Sequence, residues 1–546
     1  MIRPTRRRSL LAVVASLACT AVIGVGGAGA NGSHALIQGS GSSWAANAVN
    51  QWVADVNSQG IQVVYTPNGD AQGRQDFATR TADLSVTSLG YQGVDPVTGV
   101  PDTSQGRGYA YLPIAAGGTA FPYHITIRGQ QVRNLRLSGE TLAKIFTNVI
   151  TNWDDPQITA DNNGHALPSL PIIPVVQSEG SGATAQLTRY FATRYGAIWS
   201  SFSHLSGLTE YYPRQGNQIA QNGSNGAMNY VASSSANGSI GYVEYSFALS
   251  ANYPVVKVLN QAGYFTLPTQ YNDAVALEAA QINEDPNSPN YLLQNLDNVY
   301  TNPDPRTYPL SSYVYAIEPT GTYPSPESKI TTAKRQSIAD FLYYSICQGQ
   351  REIGPIGYSP LPVNLVQAGF GQINKLKAAD PSIDLAGENI TTCGNPTFVA
   401  SHPDENYLAQ IAPMPLACDK IGADPCAAGS GNPESLAGYS GQQVASSAGG
   451  AAGSAAKAGT TSATSLKGRW HIDKATGQLV PPNGIKDGIL STPELGVTTL
   501  GRYGLTTGLV LVALAGVLFL PPVIARRRAR ARTRTAEVPP AGGDDS

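Results

Sequence analysis

Short apolar runs and longer amphipathic stretches alternate through the middle of the chain. Ile61-Gln62-Val63-Val64-Tyr65 and Ile172-Ile173-Pro174-Val175-Val176 have the length of single strands, while Ala45 to Val56 and Ala333 to Ser345 read as helices. The alternation predicts an α/β architecture with mainly parallel sheets. Two further apolar runs differ in kind. Leu10 to Val25 follows Arg3, Arg6, Arg7 and Arg8 and leads to Ala28-Gly29-Ala30, the order of a secretory signal peptide (1–30) cleaved after Ala30. Cys19, after Ser16-Leu17-Ala18, offers a lipoprotein-type cleavage as the alternative, which would leave a lipidated Cys19. Leu505 to Ile524 is uncharged over about 20 residues, enough to span a hydrocarbon core. Arg526, Arg527, Arg528, Arg530, Arg532 and Arg534 follow it. They predict one transmembrane helix (505–524) in a cell membrane, with a cytoplasmic basic tail (525–546) and the rest of the chain extracellular.

Composition divides what lies between. Residues 427–465 are mostly Gly, Ala and Ser, which cannot bury enough apolar surface to order themselves, so they are expected to form a flexible linker. The membrane-proximal segment 466–504 carries Trp470, His471 and Ile472 and no assignable chemistry. The folded body, 34 to 426, is long enough for two lobes. Setting aside ten arginines and three acidic residues at the two ends turns the formal charge of −2 into about −9 for the exported part, which argues against nucleic acid as a partner. Four cysteines remain after signal removal: Cys347, Cys393, Cys418 and Cys426. An even number in an exported chain favours two disulfides, for which three connectivities exist. Cys418 with Cys426 and Cys347 with Cys393 is the economical pairing. Zinc is the alternative, but no C-x-x-C pair occurs and no histidine lies close by.

Two hydroxyl-rich glycine turns sit between a strand and a helix: Gly39-Ser40-Gly41-Ser42-Ser43-Trp44, and Gln177-Ser178-Glu179-Gly180-Ser181-Gly182-Ala183-Thr184. Helix N-termini of this composition present convergent N–H and O–H donors and favour anions, although plain N-capping explains either turn taken singly. Further motifs follow in order: Tyr65 through Gly69 and Gly73 to Phe77, Thr81-Ala82-Asp83-Leu84, Leu142 to Trp153-Asp154-Asp155, and Gly238-Ser239-Ile240-Gly241-Tyr242-Val243-Glu244-Tyr245. Tyr308-Pro309-Leu310-Ser311-Ser312-Tyr313 and Gly357-Tyr358-Ser359-Pro360-Leu361-Pro362 complete the series. Taken together, residues 37 to 370 resemble the phosphate-binding proteins of phosphate ABC transporters. The resemblance implies a two-lobed periplasmic-binding-protein (type II) fold. Two hinge crossings are expected near Thr119 to Thr126 and Tyr308 to Ile317. Lobe 1 would comprise 34–120 plus 310–385 and lobe 2 would comprise 125–305, followed by a disulfide-bearing extension, 386–426.

Carried over position by position, the resemblance implies ligand contacts at Ser43, Trp44, Asp70, Ser88, Gln177, Ser181, Gly182 and Ala183, with Thr184 next door able to compensate for Ala183. Ser43 and Trp44 depart mildly from the family's Thr and Phe. Asp70 stands where the family has Ser, and Ser88 where it has the Asp that accepts the proton of hydrogen phosphate. Gln177 stands where it has an Arg held by an acidic partner, here Glu179. A charge-assisted bond contributes about 1.5 to 3 kcal/mol, so losing the Arg alone costs roughly one to two decades of affinity. Arg74, one turn beyond Asp70, is a candidate substitute; the alternative is a solvated helix residue paired with Asp70 or Asp76.

Phosphate or a related small ligand is thus the expected partner, delivered to an ABC permease. The alternative is a surface sensor or adhesion module in which phosphate binding has weakened or gone. An enzyme is not expected. No H-E-x-x-H, G-x-S-x-G or P-loop occurs, the six histidines are scattered, and Asp154-Asp155 reads as a helix cap. No cofactor, metal or catalytic residue is assigned.

Overall fold

The computed structural model describes residues 34–398 and 405–426, together with the backbone of two short paired strands, His471–Ile472 and Leu479–Val480. The signal peptide, linker, transmembrane helix and basic tail read from the sequence lie outside these residues. Among the described residues no helix is long and apolar enough to cross a membrane.

Along the chain run strands β1 (Ile37–Gly41), β2 (Val63–Thr66), β3 (Leu84–Thr87), β4 (Tyr109–Ala120), β5 (Ile173–Gln177), β6 (Ile219–Gln221), β7 (Ser239–Gly241), β8 (Val243–Glu244) and β9 (Ser311–Pro319). The helices that matter below are α1 (Ala46–Asn57), α2 (Asp70–Ala78), α3 (Gly182–Arg194), α4 (Gly223–Ala232), α5 (Gln270–Leu277), α6 (Thr332–Ile346) and α7 (Val363–Ala379). Six strands form one sheet in the order β8-β4-β9-β3-β1-β2, and three form a second in the order β6-β5-β7.

Mainly parallel sheets were expected, and the second sheet is wholly parallel. The first is mixed. β1 pairs parallel with β2 and β3, but β9 runs antiparallel to both β3 and β4, from Ser311 opposite Gly118 to Pro319 opposite Tyr109. The reason is topological. β4 carries the chain out of the first sheet, Tyr123 then bridges to Ile240 beside the second, and β9 brings the chain back beside β4 in the opposite direction. β8 also pairs with β4, through Val243 opposite Ala120, so the stretch between the two passages touches the first sheet again.

α1 buries the face its sequence pattern supplies, whereas α3 is buried on nearly every side. On α1 the buried positions are Ala46, Ala48, Val49, Trp52 and Val56, and the Trp52 indole N–H donates to the Gly349 carbonyl at 3.0 Å. Full burial of a valine side chain such as Val49 or Val56 stabilises by about 1.5–3 kcal/mol. α6 buries Arg335 by turning its guanidinium onto the carbonyls of Pro319 and Gly321, each at 2.8 Å. Disulfides join Cys347 to Cys393 and Cys418 to Cys426, the economical pairing, which removes the zinc alternative. The extension is docked rather than trailing: Leu408 and Ala409 pack with Ala274 and Val275 of α5, and Asp419 pairs with buried Lys257 at 2.6 Å.

Candidate functional site

The carboxyl ends of the parallel strands in the two sheets face each other, and the candidate residues hang from those ends. β1 stops at Gly41, whose φ of +131° is open to glycine; a β-carbon there would lie 2.1 Å from the Val86 carbonyl oxygen. The turn this permits sends Ser43 and Trp44 inward. Gly73 lets α2 approach equally closely, since a β-carbon on it would come within 2.3 Å of the Gly41 Cα. Asp70 is the first residue of α2, and Ser88 follows the last residue of β3. From the second sheet, β5 ends at Gln177 and the chain turns into α3, whose N-cap is Ser181 with its hydroxyl accepting from Thr184 N at 3.4 Å.

The structure brings nearly all the predicted residues together. Ser88 N donates to Asp70 Oδ1 at 2.6 Å, and Gly182 is so close that a β-carbon on it would lie 2.2 Å from Ser88 Oγ and 2.4 Å from Asp70 Oδ1. Ser43 Oγ accepts from Ser224 N, at the start of α4, at 3.2 Å. Gln177 Nε2 reaches the Tyr242 carbonyl at 3.3 Å and Ser224 Oγ at 3.4 Å, while its Oε1 accepts from Ser181 Oγ. Thr184 Oγ1 lies 2.8 Å from Tyr242 Oη, which in turn accepts from Gln177 N at 3.1 Å. Trp44 sets its ring edge-on to Tyr358 at 5.6 Å and accepts the Tyr358 hydroxyl on its carbonyl at 2.7 Å. Ala183 is buried and offers no side-chain polar atom.

The charges are unusual for an anion site. Asp70 is 1% exposed, and burial raises its pKa against the pull of the Gly182 and Ser88 N–H groups and of Arg74. Burial also raises Glu179, helped by the charge of Asp70, although Glu179 Oε2 accepts from Gly223 N at 2.9 Å. Among the described residues, no Lys or Arg donates to the side chains of Asp70, Ser88, Gln177, Ser181 or Thr184.

Arg74 is neither a solvated helix residue nor a partner of Asp76. It is fully buried and bound away: Nε lies 3.0 Å from both oxygens of Asp102, Nη1 reaches Thr87 Oγ1 and Glu210 Oε2 at 3.1 Å each, and Nη2 pairs with Glu210 Oε1. Asp76 instead accepts from Asn68 and Gln72. Glu210, Asp102, Ser224 and Tyr242 were not among the expected site residues. For Ser224 a signal existed: Asn222-Gly223-Ser224 is a third small-residue turn before a helix. Asp155 does cap its helix, accepting from Gln157 N at 2.8 Å.

Two sheets joined by crossing strands, with polar residues gathered at the facing strand ends, define a binding-protein-like α/β fold. Residues 27–348 match the family model described as the PBP superfamily domain, and the chain belongs to that superfamily. Its curated relatives are of the PstS type. A phosphate-binding protein PstS of Methanocaldococcus jannaschii is 26% identical over 63% of this chain and 87% of its own length. Phosphate-binding protein PstS 2 of Mycobacterium tuberculosis is 29% identical over 61% of this chain and 84% of its own. Among solved structures, a phosphate-binding protein from Stenotrophomonas maltophilia is similar with a TM-score of 0.45 and 16% identity, covering 61% of this chain and 93% of that one.

Proposed function

We propose that this chain is a cell-surface solute-binding protein that captures a small oxyanion, phosphate first among candidates, in the cleft between its two sheets for an ABC permease. One observation carries the reading: Asp70 and Ser88 from one sheet and Gln177, Ser181, Gly182 and Thr184 from the other converge on the N-terminus of α3, with Ser43 beside them at the start of α4. Backbone N–H groups and aligned peptide dipoles at such an end favour an anion. The PstS-type relatives support phosphate as the solute. The N-terminal apolar run and the uncharged stretch 505–524 support export and a membrane tether, with the linker giving the binding module reach. The reading is non-catalytic.

Isothermal titration of the full chain with inorganic phosphate tests it, with sulfate as the second anion. Saturable, one-to-one binding of phosphate is expected. Absence of heat with either anion at millimolar concentration sinks the reading.

A specific observation favours the second reading, a sensor or adhesion module with weakened phosphate binding. Gln177 supplies no charge, and Arg74 is spent on Glu210 and Asp102. Phosphate uptake by a deletion strain under phosphate limitation separates the two, because a transport receptor must lower uptake when lost.

A further inference from the structure

The inference rests on the anion-cleft reading and concerns what holds the cleft shut. Among the contacts that join the strand ends of the first sheet to those of the second, three lie at the starts of α3 and α4. Ala71 N donates to the Gly180 carbonyl at 3.1 Å, Ser224 N donates to Ser43 Oγ at 3.2 Å, and Asp70 with Ser88 abuts Gly182. At that last contact Asp70 presents its carboxylate to the first turn of α3, where the backbone donors of an oxyanion site lie. Ser88 N donates to Asp70 Oδ1 at 2.6 Å, and the Gly182 N–H acts on the same carboxylate.

Two features separate this from an ordinary helix cap. Asp70 belongs to α2 of the first sheet, whereas α3 already has its own N-cap in Ser181, so the carboxylate comes from outside the helix it faces. Asp70 Oδ2 is moreover buried without a hydrogen-bond partner, a cost of about 1–3 kcal/mol or more for a charged group, which a purely structural contact would not retain.

We propose that the Asp70 carboxylate is a built-in anion: it takes the Gly182 N–H at the start of α3 that an oxyanion solute would take, and a solute enters only by displacing it. Glu179 stands close by with Oε1 buried and unpartnered, so an arriving dianion meets two carboxylates, while the Arg74 guanidinium is spent on Asp102 and Glu210. Coulomb repulsion at such separations, little screened by water, weighs heavily against a doubly charged solute. Asp70 thereby sets both the threshold for closing on a solute and the preference among solutes by charge.

The test titrates inorganic phosphate into the full chain, wild type against Asp70→Asn and Asp70→Ser, by calorimetry and by the rise in melting temperature with phosphate. Asp76→Asn, a carboxylate removed from the same helix outside the cleft, is the control. At least ten-fold tighter phosphate binding is expected in either Asp70 variant that folds, with a larger phosphate-induced melting shift than in wild type and no change for Asp76→Asn. If wild type shows no binding and an Asp70 variant does, the proposal stands and phosphate falls as the native solute. Tight binding by wild type that weakens or stays unchanged in both variants overturns the proposal and leaves the anion-cleft reading intact, with Asp70 a direct solute contact. No binding by any of the proteins overturns both.

Discussion

Asp70 and Arg74 lie one turn apart on α2, both buried to within a few per cent, and their charges are treated in opposite ways. Around Arg74 almost every donor is used: two carboxylates and a threonine hydroxyl surround the guanidinium, and the pair with Glu210 ties the two sides of the cleft together. Its pKa is pushed up by Glu210 and Asp102 despite desolvation, so it stays charged. Around Asp70 the carboxylate is met by the Gly182 and Ser88 N–H groups and the Ser88 hydroxyl, Arg74 acts through its charge alone, and one oxygen has no partner. The lesson is that one cation cannot serve two places. A guanidinium committed to holding the halves together is withdrawn from the solute, and the solute site is left to neutral donors.

The largest way to break this comparison is to remove the satisfied member. Arg74→Leu leaves buried Glu210 and partly buried Asp102 without their cation and should lower unfolding free energy by about 3–5 kcal/mol in urea denaturation. A loss below about 1 kcal/mol would mean that the carboxylates re-solvate freely and that the contact is not a fastening. A fastening elsewhere provides the benchmark. Cys347→Ser with Cys393→Ser should cost about 2–4 kcal/mol while leaving any phosphate response unchanged, because that disulfide ties α6 to the extension, away from the facing strand ends.

Glu210→Gln sharpens the comparison by keeping shape and removing charge, at an expected cost of about 1.5–3 kcal/mol in mildly acid solution that shrinks as pH rises through neutrality. Desolvation pushes Glu210 up to about 7, only partly offset by Arg74. The native protein therefore holds its proton above the unfolded-state value. The sign follows from linkage: this contribution is fully present below the unfolded pKa and is lost as pH rises through about 7, and the variant should flatten that part of the stability profile. The smallest effect belongs to Ser181→Ala. It removes the cap on Thr184 N and the bond to Gln177 Oε1, and should cost about 1 kcal/mol in thermal or chemical unfolding.

Much of the fold was legible because its signals are local. The strand-helix alternation placed α1 and α6 within a residue or so of where they lie, and both glycine turns do link a strand to a helix. The mixed first sheet was not legible, since nothing within β4 or β9 states which neighbour either will take. Most of the candidate site was read by position from resemblance, and those residues do converge. Arg74 was misread for a physical reason: its partners stand 28 and 136 residues away in sequence, and a helix-surface reading considers neighbours three or four positions off. Asp70 was placed where the family has Ser, but its seat against Gly182 depends on how closely two separate helices approach, a distance no sequence period encodes.

The close seating of α2 on β1 at Gly73 and Gly41 carries a consequence for timing. With no room to slide, the helix cannot release Asp70 while keeping Arg74 in place, nor free Ala71 from Gly180 separately. Opening has to break the Asp70–Gly182, Ala71–Gly180 and Arg74–Glu210 contacts in one movement. Capture should therefore be paced by a slow, concentration-independent opening of the protein rather than by encounter: in stopped-flow mixing, the observed rate should level off as solute is raised.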